Sequence, residues 1–127
     1  MIDHVSIAVR NIKASGDYYE TVLAPLGLLR LVDRETAIGF GKKYPEFWLN
    51  LRADMRVVEG NPGNHICLRA QTNEAVMAFH DAAVLHGGRC DGAPGLRQAT
   101  MTKYFGAFIR DLDGNKIEAV YFPRKDG

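Results

Sequence analysis

Three side chains of types able to bind divalent cations stand at comparable points of the 127-residue chain: His4 in DHVSIAV, His65 in NHICLRA and Glu118 in DLDGNKIEAV. Two imidazoles and one carboxylate make a donor set for a hard or borderline divalent ion. A three-donor set leaves positions open for substrate and for water or dioxygen. An ion held in this way serves as a Lewis acid and as a template for a small oxygenated molecule. A lone strand histidine is usually a satisfied polar residue, so the reading depends on whether all three share one face.

An internal repeat sets their positions. Laying NHICLRA (residues 64 to 70) over DHVSIAV (residues 3 to 9) puts His65 on His4, Ile66 on Val5 and Leu68 on Ile7. Both stretches alternate apolar with small or polar residues, the period of a half-buried strand. The register carries on without a gap. Asn11 meets Thr72, both good helix N-caps, while Ala14, Tyr18 and Val22 meet Ala75, Phe79 and Ala83 at helical spacing. Leu26 and Gly27 then meet Gly87 and Gly88, where both helices stop. Three β-rich runs follow each helix: LLRLVDRE, AIGFGK and EFWLNLR in the first half, GRCDGAP, YFGAFIRD and NKIEAVYF in the second. The pattern predicts an α+β domain of two tandem βαβββ modules, the first over about residues 1–60 and the second over about 61–127. The expected architecture is a cupped, barrel-like mixed sheet with the helices outside. The second module carries a longer connection, GAPGLRQATMTK, and Asp113-Gly114 supplies a hairpin turn before the last strand.

Strand parity then assigns faces. Val5, Ile7 and Val9 form the face that packs on the helices, leaving His4 opposite; Ile66 and Leu68 do the same, leaving His65 opposite with Cys67 and Arg69. Ile117, Ala119 and Tyr121 make the packing face of the last strand, which leaves Glu118 on the other. All three candidate donors therefore fall on the face away from the helices. Overlaying PEFWLN on GNKIEA puts Leu49 at the position of Glu118 and Trp48 at that of Ile117, so Trp48 is expected under a helix. Phe47, Leu49 and Leu51 are expected to give the cup an apolar wall suited to a small-molecule substrate. Arg97, Tyr104 and Phe105 flank the long connection, where they could orient an anionic or aromatic substrate. His80 and His86, on or after the second helix, are expected at the surface. Cys67 is read as a small packing residue because no adjacent base would activate it.

Composition excludes several other functions. The formal charge is +1 with Lys and Arg scattered, so no nucleic-acid footprint is expected. No charged and apolar leader opens the chain and no apolar run is long enough for a bilayer, so a cytoplasmic protein without a membrane partner is expected. Two cysteines without Cys-x-x-Cys spacing imply reduced, partly buried thiols and no disulfide framework.

The duplicated β-α-β-β-β unit, the two histidine-bearing strands and the final D-x-D-G-N-x-I-E resemble the vicinal oxygen chelate superfamily over essentially the whole chain. That superfamily includes glyoxalase I, extradiol ring-cleaving dioxygenases, fosfomycin-resistance thiol transferases and bleomycin-binding proteins. The resemblance implies a divalent metal (Fe, Mn, Zn or Ni) held by His4, His65 and Glu118, with Glu118 also the catalytic carboxylate. It also implies a homodimer. Glyoxalase I carries a further acid on the last strand of its first module, and the overlay gives Leu49 there. The implied function is a metal-dependent, glyoxalase- or dioxygenase-like enzyme acting on a small oxygenated molecule. The alternatives are a glyoxalase I-like lyase (lactoylglutathione lyase type) and a metal-free small-molecule binding or resistance protein of the same fold.

Overall fold

In the computed structural model of the chain, residues 1–98 and 101–123 are described. The first module runs β1 (Val5–Val9), α1 (Ile12–Leu23), a 3-10 turn (Ala24–Leu26), β2 (Leu29–Asp33), β3 (Ala37–Gly41) and β4 (Phe47–Leu51). The second runs β5 (Ile66–Arg69), α2 (Asn73–Leu85), β6 (Arg89–Gln98), β7 (Lys103–Arg110) and β8 (Lys116–Tyr121). The two sheets have matching orders, β1-β4-β3-β2 and β5-β8-β7-β6, each with one parallel pair followed by antiparallel ones. Among the described residues no ladder joins the sheets, so the structure is two open four-stranded sheets rather than a closed barrel.

Local chemistry explains the helix limits. The Asn11 Oδ1 accepts from the Ala14 backbone N–H at 3.0 Å and the Thr72 Oγ1 accepts from that of Ala75 at 3.0 Å, each satisfying a donor at a helix start. Gly27 and Gly87 end the helical segments with φ of 79° and 110°. One core cluster joins the helices and both sheets. It contains Tyr19, Val22 and Leu23 of α1, Val76, Phe79 and Ala83 of α2, Phe47 and Leu49 of β4, and Ile117 and Ala119 of β8. Polar contacts also cross between modules. The Arg10 Nε donates to Asp113 Oδ1 at 2.7 Å, the Asn115 side chain to the Ala8 carbonyl at 2.9 Å, and the Tyr19 hydroxyl to Asp111 Oδ2 at 2.6 Å.

Three expectations are corrected here. Most of GAPGLRQATMTK is strand: β6 continues to Gln98 through register shifts between Cys90 and Gly92 and between Gly92 and Gly95, while Ala99 and Thr100 lie outside the described residues. Bulges absorb the glycines and Pro94 without ending the ladder. Both cysteines are exposed rather than partly buried. His80 is largely covered, with its side chain 13% exposed, because its position on α2 turns it toward packed surface; His86 caps the helix and is exposed.

Candidate functional site

The parallel ladders fix which side chains share a face. In the second module Cys67 pairs with Glu118, and in the first Ser6 pairs with Trp48. Since Ser6 and Cys67 are repeat equivalents, the equivalent of Glu118 is Trp48 and not Leu49. The overlay of PEFWLN on GNKIEA is thus one residue out of register, and a one-residue slip turns every side chain to the other face of a strand. Phe47 and Leu49 point to the helices, are 1% and 0% exposed, and Phe47 lies 5.2 Å from the Tyr19 ring. Neither forms a cup wall. Leu51 shares their parity. Phe105 likewise packs against the core, since β7 alternates and it is Tyr104 that shares the face of Glu118.

Glu118 is 5% exposed, and its Oε1 lies 2.9 Å from the His65 Nε2, whose side chain is 39% exposed. The histidine comes from the residue before β5 and the acid from the adjacent β8, so the parallel pairing itself brings them together. Phe108, the cross-strand partner of Glu118, sets its ring 5.6 Å from that of His65. Two cations flank that ring: the Arg97 guanidinium at 5.4 Å and the Lys116 ammonium at 4.8 Å. Arg97 is itself held by carbonyls, donating to Gly95 at 3.1 Å, to Ala93 at 2.8 Å and to Gly106. It therefore orients the Phe108 wall. Phe108 was missed in the sequence, although its parity with Tyr104 and Gly106 in YFGAFIR was the available signal.

Charge around the carboxylate follows the same geometry. Desolvation raises the Tyr104 phenol, and the Glu118 charge raises it further. Cys67 is partly open to solvent, yet desolvation by its neighbours and then the Glu118 carboxylate push its thiol up to about 12. It is a protonated thiol at neutral pH, not a nucleophile.

His4 stands apart. It precedes β1, its side chain is 54% exposed, and its Nδ1 contacts Asp3 Oδ1 at 2.8 Å. Among the described residues no group of three His, Cys, Asp or Glu side chains converges on a point that could hold a metal ion. One chain brings His65 and Glu118 together and leaves His4 out. Beside His65 a cavity of about 590 Å³ opens between the β1 and β5 edges, with Ser6, Val58, Asn64, Arg110 and Lys116 also on its walls. That volume suits a small molecule.

Residues 1–119 match the model of the Glyoxalase/Bleomycin resistance protein/Dioxygenase superfamily. The chain belongs to that superfamily. Its fold is shared with a glyoxalase/bleomycin resistance protein from Albidiferax ferrireducens T118, at 30% identity over 95% of this chain and 98% of that one, with a TM-score of 0.84. A fosfomycin resistance protein from Listeria monocytogenes is similar in fold at 11% identity, over 97% of this chain and 93% of that one, with a TM-score of 0.67. A glyoxalase I mutant from Zea mays matches at 19% identity over 93% of this chain and 44% of that one, with a TM-score of 0.72. No curated protein matches the sequence. Members of the superfamily commonly use divalent metals, bind small molecules and often form dimers. No helix of the described residues is long and apolar enough to cross a membrane.

Proposed function

We propose that this superfamily member is a divalent-metal-dependent enzyme acting on a small oxygenated molecule, with His65 and Glu118 of one chain and His4 of a second copy as the ligands. The observation that carries this reading is the buried Glu118 carboxylate 2.9 Å from an imidazole nitrogen, on the sheet face turned away from the core. The donor chemistry fits a hard or borderline ion: an acid with little solvent and an adjacent histidine are half of such a site. His4 is exposed at the start of an edge strand, where a second chain can meet it. When bound, the ion would polarise a substrate oxygen. The chain's own residues do the rest. Phe108 and the Arg97 that braces it wall off one side of Glu118, and His65 opens onto the cavity beside it.

Within this class, a glyoxalase I-like lyase is disfavoured, because the position of its additional acid is Trp48, which has no lone pair to give a metal or proton. An oxygenase or other open-site chemistry needs no such acid. A metal-free binding protein is the second reading, favoured by His65 and Glu118 bonding directly to each other. Metal analysis of protein purified without added metal separates the two. The enzyme reading expects a bound divalent ion that is depleted in Glu118→Gln and His65→Ala. Metal content unchanged in both variants would overturn this ligand set, and none in the wild type after reloading would leave the metal-free reading.

A further inference from the structure

The first module carries its own feature on the face that bears Glu118 in the second. Trp48 occupies the equivalent of Glu118 by ladder register. Its cross-strand partner is Gly39, where an added Cβ would lie 3.1 Å from two atoms of the indole; only a residue without a side chain lets the ring lie across the strand there. Ser6 pairs with Trp48 on one side and Gly39 on the other, with Ala37 next along and Pro45 also packed over Gly39. Trp48 is half-buried and thus open on part of its surface. The Arg34 guanidinium sits 6.0 Å from the ring centroid, is exposed, and makes no ion pair among the described residues. An indole backed by Gly39, with a guanidinium over its ring that has no carboxylate partner among the described residues, can recognise a planar ring through stacking and an anionic substituent through charge.

We propose that Trp48 and Arg34 form a stacking subsite for an aromatic carboxylate, which sets the substrate class of the metal site proposed above. The link to that site rests on the two-chain reading, which sets the first module of one copy against the second module of the other. Stacking at Trp48 is independent of it. The chain has a single tryptophan, so emission excited selectively at the red edge of tryptophan absorption reports this subsite.

Titration of the metal-free dialysed protein with benzoate is expected to change the Trp48 emission saturably. Cyclohexanecarboxylate, with the same charge and no planar ring, is expected to bind at least about threefold more weakly. In Arg34→Gln the benzoate affinity should fall while that for neutral benzamide stays the same, the split that charge recognition by Arg34 requires. Equal affinity for benzoate and cyclohexanecarboxylate, or no response to benzoate at millimolar concentrations, would overturn the subsite. Because the titration needs no metal, a failed metal analysis leaves its outcome readable, and a failed titration leaves the metal reading standing.

Discussion

At the scale of single residues, the weight falls on acids that the fold buries. Asp111 is 5% exposed and accepts from the Tyr19 hydroxyl at 2.6 Å and from the Asp113 and Asn115 backbone N–H groups at 2.9 Å each. Desolvation nevertheless raises its carboxyl above the ordinary value, outweighing those bonds. The folded state then holds the proton more tightly than the unfolded state. Its contribution to stability is therefore fully present below the unfolded carboxylate value and is lost as pH rises through the raised one. Denaturant midpoints of wild type and Asp111→Asn across the acidic range should show the wild type losing ground to the variant as pH rises; a gap in favour of the wild type that grows with pH would contradict this. The Asn115 side-chain amide also donates to it at 3.1 Å, so Asp111→Ala removes the acceptor of four donors and should cost at least about 1–3 kcal/mol. Much of the residue-scale site was legible. His65 and Glu118 fell on one face by parity because the alternation of ICLR, which His65 immediately precedes, and of KIEAVY, which contains Glu118, fixes the faces. Trp48 did not, because FWLNL is apolar at every position but Asn50 and its alternation is too weak to set the register.

At the scale of elements, the turn between β7 and β8 holds the modules in place. Gly114 has φ of 85°, and an added Cβ would lie 2.2 Å from the Val58 carbonyl oxygen. The Val58 N–H in turn donates to the Asp113 carbonyl at 2.8 Å, tying the segment between modules to this turn. Gly114→Ala combines backbone strain with a backbone clash and should lower stability by more than about 1 kcal/mol, read as a lower urea midpoint at unchanged slope. Asn11→Ala removes only the cap of α1 and should cost about 1 kcal/mol. A Gly114 variant as stable as wild type would mean that the turn opens freely. Helices, caps and the Asp-Gly turn were all readable from local chemistry. The length of β6 was not, since Gly92, Pro94 and Gly95 carry loop signals that the bulged pairing with β7 overrides.

At the scale of the whole molecule, the proposed site needs two chains. His65 and Glu118 meet within it, His4 lies apart, and no third donor joins them among the described residues. Both histidine-bearing strands lie at sheet edges, so on the proposed reading a symmetric pairing would let each copy complete the other. Light scattering is accordingly expected to show a dimer at micromolar concentration, and a metal-bound monomer would reject that assembly. Parity placed all three donors on one kind of face, but it could not say whether the faces of one chain or of two come together, because that depends on how modules pack rather than on strand alternation. The decisive measurement uses two differently tagged chains, one carrying His4→Ala and the other carrying both His65→Ala and Glu118→Gln, co-expressed and purified through both tags. If ligands come from both copies, each mixed dimer keeps one intact site and should bind about one ion, against about two in the wild type, although neither variant alone binds metal. Mixed dimers that bind no more metal than the separate variants would contradict a site shared between chains.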